Sequence, residues 1–212
     1  MKLGVLALGS VNEKHGTILP PDTDLRLATH VAREISKRVG AMFIGSVASS
    51  CEYPEIETGE HQSVETVLND LKKVLRKAKE INVDTVIIVN GHGGNNLLKP
   101  ELQKLERELD LTIIFCDSLL KLEGPHAWSG EVSAGLWLGF ADMSKICDHI
   151  NFRKFPEVGF VGLMEARKKY PWVEKMAREV EEEEIRASLL LGKVIIECAV
   201  RDIIQTVEEL GS

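Results

Sequence analysis

Apolar residues follow two different periods along this chain. Residues 3–8 form a short uninterrupted apolar run that stops at Gly9-Ser10, the pattern of a strand buried on both faces. Over residues 23–39 the apolar positions Leu25, Ala28, Val31, Ile35 and Val39 recur at helical spacing. Pro20-Pro21 breaks the chain ahead of that helix; Asp22 is its expected N-cap and Gly40 its stop. Residues 42–48 predict a second strand, and residues 49–62 a loop rich in Ser, Glu and Gly. Ser63 is expected to cap a long helix that ends near Ile81. Residues 83–89 contain Val86-Ile87-Ile88-Val89, as in a central parallel strand. A helix over about 97–109 and a strand over 111–116 complete the alternation.

Strand and helix in strict turn predict an α/β fold, a three-layer α/β/α sandwich around a mostly parallel sheet. The pattern changes after Ser118. Residues 124–130 read as a loop, 131–140 as helix, and 151–162 as irregular with room for short strands. Residues 174–210 read as mostly helix, with Glu179 and the acids at 181–184 on a solvated face. The expectation is one domain over residues 1–212.

Composition narrows the function classes. The chain carries 33 acids against 26 Lys plus Arg, a net charge of -7, which argues against general nucleic-acid binding. No apolar run reaches the roughly 18 residues that span a bilayer, and no membrane association is expected. The four cysteines show no C-x-x-C spacing and read as reduced thiols of a cytoplasmic protein.

The candidate chemistry lies at strand ends, where open α/β sheets place it. Glu13 and His15 are two residues apart, so an extended segment points both the same way. Asp24, beyond the proline corner, can reach the same point, and its two oxygens suit it to bridge two cations. A strand leads directly into Asn90-Gly91-His92-Gly93-Gly94-Asn95. Its glycines permit close approach or positive φ, and the Gly93, Gly94 and Asn95 amides can form an anion nest. His126 and Glu131 form a third cluster around a helix start. Each cluster also has an ordinary reading as helix cap, glycine turn or surface loop. His61 and Cys51 are further residues able to face the site, Trp128 is placed to wall it, and His30, His149 and Glu157 have no assigned role. No dinucleotide or P-loop motif is present.

Glu13-Lys14-His15-Gly16, Leu19-Pro20, Asp24, the 90–95 loop, His126-Ala127 and Glu131 together resemble the creatininase family of metal-dependent amidohydrolases. The resemblance implies the three-layer fold, a homo-oligomer, and Fe(II), with Zn(II) or Mn(II) as alternatives and one or two divalent ions bound. It implies that Glu13, His92 and Asp24 hold one metal and that His15 and Asp24 hold the second, with Glu131 as a further ligand. It implies His126 as proton donor, with Glu131 as the alternative. The phrases at 9–24 and 124–126 are most similar to archaeal formamide hydrolases of a phosphorylated formylaminopyrimidine, in riboflavin and deazaflavin coenzyme synthesis. The substrate phosphate then falls to the Gly93, Gly94 and Asn95 amides or to Lys14. The chain departs from creatininase in having Gly94 where a Glu ligand of the second metal stands, so either Glu131 supplies that ligand or the second ion is weakly held or absent; it also has Trp128 where Gly is frequent and Lys14 where Gln is common. Competing readings are hydrolysis of another amide, a lactam or peptide bond, and a non-catalytic nucleotide-binding protein.

Overall fold

The computed structural model describes residues 2–211. Four strands, β1 (Leu3–Leu8), β2 (Met42–Val47), β3 (Thr85–Asn90) and β4 (Thr112–Cys116), form a parallel sheet of order β2-β1-β3-β4. The central pair β1 and β3 is the part the sequence marked as most apolar, and Val5 to Leu8 and Val86 to Val89 are fully buried. Successive side chains alternate faces. Val5, Ala7, Ile87 and Val89 pack under α1 (Thr23–Val39) and the long final helix, through Val31, Ile35, Ala199 and Ile203. Leu6, Leu8, Val86 and Ile88 pack on the opposite face under α2 (Val64–Glu80) and α3 (Lys99–Leu109), through Leu71, Leu75, Leu102 and Leu105. The result is the expected helix, sheet, helix sandwich.

Register decides where the site forms. Leu8 pairs with Asn90 at the carboxyl end of the sheet, so the loops leaving β1 and β3 emerge side by side. Gly9 is needed there, because a Cβ would lie 2.7 Å from the Leu25 nitrogen at the start of α1.

Beyond β4 come α4 (Ser118–Glu123), α5 (Ser129–Trp137), α6 (Ile146–His149), α7 (Met164–Lys169), α8 (Pro171–Glu182) and α9 (Leu189–Gly211). Several expectations need correction. Asp22 makes no capping bond; its carboxylate accepts from Arg26 Nε at 2.7 Å instead. Ser63 does cap α2, accepting from the Thr66 amide at 3.1 Å. Residues 151–162 contain no strand among the described residues, only a 3-10 turn at Val158–Phe160. The final helical stretch is broken between α8 and α9. There the Arg186 and Ser188 amides donate to Ser129 Oγ (2.8 Å) and Ser133 Oγ (3.0 Å), which ties the break to α5. No helix among the described residues is long and apolar enough to cross a membrane.

Candidate metal centre and cavity

The segment after β1 is held extended by its neighbours. Glu13 pairs with Gly59 as an isolated antiparallel bridge, and its amide donates to Pro21 O at 3.1 Å. Glu13 and His15 therefore point inward, both buried, while Lys14 points out and is exposed. Asp24 arrives from the first turn of α1. After β3, Asn90 organises its own loop. Its Oδ1 accepts from the His92 amide (3.2 Å) and Asn95 Nδ2 (3.1 Å), and its Nδ2 donates to His92 O (2.9 Å).

Asp24 sits between the two imidazoles. Its Oδ1 is 2.9 Å from His15 Nε2, and its Oδ2 is 2.9 Å from His92 Nδ1. Each ring nitrogen also faces a second carboxylate. His15 Nε2 is 3.0 Å from Glu131 Oε1, and His92 Nδ1 is 2.6 Å from Glu13 Oε2. The far nitrogens face backbone carbonyls: His15 Nδ1 lies 3.1 Å from Glu13 O, and His92 Nε2 lies 3.0 Å from Cys51 O. A carbonyl only accepts, so each far nitrogen carries a proton. In the neutral ring the inward nitrogen then presents a lone pair to two carboxylate oxygens, which repels unless a cation lies between. This is the outer support that metal-binding imidazoles carry.

The electrostatics agree. Burial alone would lower the pKa of His15, but Glu131 and Asp24 outweigh it and raise it well above the usual value. For His92 burial is likewise outweighed, by Glu13 and Asp24. Burial would raise Asp24 and Glu131, yet His15 beside both pulls them down. A single N–H cannot serve two carboxylates, and Glu13 Oε2 is buried without a hydrogen bond. The donor set of carboxylate oxygens and imidazole nitrogens, without thiolate, fits two divalent cations sharing Asp24.

His126 completes the wall. Its Nε2 donates to Lys14 O at 2.8 Å, leaving Nδ1 facing Glu13 Oε1 (3.8 Å) and Glu131 Oε2 (3.9 Å). Glu131 Oε2 accepts from the Ala127 amide at 2.5 Å, where Ala127 adopts a φ of 54°. His149 and Glu157 tie the loops together. His149 Nε2 donates to Ala127 O (2.8 Å) and its Nδ1 accepts from the Thr17 amide (3.1 Å), while Glu157 Oε1 accepts from the Gly16 amide (3.1 Å).

A cavity of about 350 Å³ opens over the centre, within the range of small-ligand sites. Tyr53, Phe160, Trp172 and Met176 form an apolar wall; Gly93, Gly94, Glu52, Glu123 and Lys121 line the remainder.

Glu13, His15, Asp24, His92, His126 and Glu131 thus lie together around one centre, with His126 and Glu131 where the family resemblance placed them. Gly93 and Gly94 line the cavity as well, but not through positive φ: neither is left-handed. Gly94 is needed because a Cβ would run into the Cys51 carbonyl and lie 2.8 Å from Glu52 Cα. Three expectations fail in placement. Asn95 is fully buried behind the loop, its amide spent on His92 O and its side chain on Asn90 and Cys51. The Lys14 side chain lies outside the cavity lining. Trp128 is packed against Phe152 rather than walling the cavity, where Trp172 stands instead. Cys51 faces the site through its carbonyl, and His61 stacks on His92 with ring centroids 5.0 Å apart. Glu52 and Glu123 were not singled out. Burial, more than the influence of neighbouring charges, pushes Glu52 up to about 7. Burial, then Glu131 and Asp24, push Glu123 well above the usual carboxylate range.

A parallel sheet with carboxylates and imidazoles gathered at its carboxyl edge is the arrangement of a divalent-metal centre able to activate water. The family model described as "Creatininase: Creatinine amidohydrolase" matches residues 1–184, and the chain belongs to the creatininase family. A relative from Methanothermobacter marburgensis is 44% identical over 211 residues, covering 99% of this chain and 90% of its own length. One from Methanosphaera stadtmanae is 41% identical over 210 residues, covering 98% and 90%. Both carry the name 2-amino-5-formylamino-6-ribosylaminopyrimidin-4(3H)-one 5'-monophosphate deformylase. Among solved structures, creatinine amidohydrolase (creatininase) matches with a TM-score of 0.67 at 16% identity, covering 98% of this chain and 90% of that one. A manganese creatininase matches at 0.68 and 17% identity, with the same coverage. At such identity the likeness is one of fold.

Proposed function

We propose that this chain removes formate from 2-amino-5-formylamino-6-ribosylaminopyrimidin-4(3H)-one 5'-monophosphate, the substrate in its relatives' names. The product diaminopyrimidine would feed riboflavin and deazaflavin coenzyme synthesis. The observation that carries a hydrolytic reading is Asp24, whose two oxygens serve two different imidazoles at 2.9 Å each. Glu13, His92 and Asp24 would hold one cation, and His15, Glu131 and Asp24 a second. We assign Fe(II) as the resident metal, although Zn(II) and Mn(II) suit the same oxygen and nitrogen donors. When bound, such ions lower the pKa of water and polarise a carbonyl.

The chain's own residues supply the rest. His126 is anchored through Nε2 on Lys14 O, so its Nδ1 is directed at the centre. That nitrogen accepts a proton from the attacking water and returns it to the arylamine nitrogen as the formyl C–N bond breaks. Glu131 is less suited to shuttle a proton, because one oxygen is held by the Ala127 amide and the other faces His15. Phe160 and Trp172 give the pyrimidine an apolar wall, which limits water at the reacting carbon. The phosphate falls to Gly93 and Gly94 at the cavity wall, with Lys121 at the rim. Copies of the chain are expected to associate in the cytoplasm through the exposed Trp137, Leu190 and Val194 on α5 and α9.

The test is formate release by metal-stripped protein under anaerobic conditions, before and after adding Fe(II), with creatinine as control substrate. Metal-dependent formate from the pyrimidine alone supports the proposal. Turnover of creatinine instead, or phosphate-ligand binding that needs neither metal nor Glu13, contradicts it.

A further inference from the structure

We propose that Glu123 is a specificity residue, whose carboxyl accepts the ring N–H and 2-amino N–H of the aminopyrimidinone; this rests on the function proposed above. Glu123 ends α4, lines the cavity and is 7% exposed. Its Oε1 is buried and has no hydrogen-bond partner among the described residues. A buried carboxyl oxygen left unpaired is costly, which points to a donor that arrives with a ligand.

The other acids of the cavity are committed. Glu13, Asp24 and Glu131 face the imidazoles. Asp117 is held by Lys99 at 2.9 Å and Lys121 at 2.8 Å. Glu52 accepts from the Tyr53 amide at 2.7 Å, and its other oxygen faces His92 Nε2 at 3.4 Å. Among the described residues, Glu123 is the cavity acid whose carboxyl makes neither an ion pair nor a hydrogen bond to a side chain. A 2-aminopyrimidin-4-one presents two adjacent N–H donors on one edge; such donors favour the ionised form against the burial that raises Glu123, and the carboxylate presents two acceptors at matching separation. Protein pockets read extracted bases by this kind of edge contact. Phe160 and Trp172, set nearly perpendicular to one another (86°), line the same cavity and give the ring an apolar corner to pack in. The formyl group leaves from the other side of the ring, so Glu123 contributes to binding rather than to bond breaking.

The experiment measures KM and kcat for formate release from two substrates, the parent and an analogue with hydrogen in place of the 2-amino group. Metal content and thermal midpoint are followed in parallel. Wild type should prefer the parent by at least about 10-fold in KM. Glu123→Gln should raise KM for the parent by about 10- to 100-fold and erase most of that preference. Its kcat should stay within a few-fold, with unchanged metal content and thermal midpoint. Glu123→Asp, which keeps the charge, should retain part of the preference. The proposal is overturned if Glu123→Gln still distinguishes the two substrates as wild type does, or if it loses metal or stability in step with activity. Absence of formate from the parent with wild-type protein would instead overturn the proposed function.

Discussion

Substituting Asp24→Asn should disable both halves of the metal centre at once. The carboxylate presents one oxygen to His15 Nε2 and the other to His92 Nδ1, each at 2.9 Å. An amide has only one oxygen, so whichever way it turns, its NH₂ faces one of the two positions and cannot bind a cation there. The lost negative charge weakens the other position as well. Removing an outer support of a metal site costs about 10- to 100-fold in affinity; losing a direct ligand should exceed that, to at least about 100-fold. In the metal-free protein the same change breaks two buried contacts. Stripping one partner from a buried pair costs about 3–5 kcal/mol, but Glu131 and Glu13 still face the two rings. A loss of roughly 1–3 kcal/mol, as for buried polar groups deprived of a partner, is the better expectation. The assay is metal per chain after dialysis, with urea unfolding of metal-free samples. Glu131→Gln, which faces His15 but not His92, is the control for metal content and should spare one ion. If Asp24→Asn keeps two tightly held ions per chain and full turnover, Asp24 is not shared between two sites.

His126→Gln should lower kcat by about 10²- to 10⁴-fold with metal content unchanged; loss of metal instead would make His126 a ligand. His92→Ala should lose metal and activity together while circular dichroism keeps its folded signature, and full turnover in a metal-stripped His92→Ala sample would refute the assignment. The raised pKa values of His15 and His92 mean that the folded metal-free protein binds protons more tightly than the unfolded chain. That contribution is fully present below pH about 6.5 and is lost as pH rises through the raised values. Metal binding runs the opposite way, because ions must displace those protons. Urea midpoints with and without metal should therefore diverge as pH rises from 6 to 9, and parallel curves would contradict this. Leu71 is fully buried on the α2 face and does not line the cavity. Leu71→Ala should cost about 2–5 kcal/mol, read by urea unfolding, with the metal count unaltered.

Most of the sheet was legible because each strand is marked by local composition. The β-branched run at 86–89 reads as a doubly buried strand, and the proline corner and Gly40 mark the bounds of α1 around its apolar stripe. The site was legible where its residues lie at strand ends in short motifs. The same alternation that turns Glu13 and His15 inward turns Lys14 out, so its exclusion from the cavity was implicit in the extended segment. Asn95 looked like an anion donor because its position after two glycines says nothing of the Asn90 side chain that captures it. Glu52 and Glu123 look like ordinary loop and helix acids, and only the packing of distant segments brings them to the cavity. The break between α8 and α9 was hidden for a similar reason. It depends on hydroxyls of Ser129 and Ser133, more than fifty residues away in sequence.

Anomalous diffraction from crystals grown anaerobically with Fe(II) would test the shared centre most directly. Two peaks are expected, one among Glu13, Asp24 and His92 and the other among His15, Asp24 and Glu131. A fully loaded protein with no peak beside Asp24 would contradict the account.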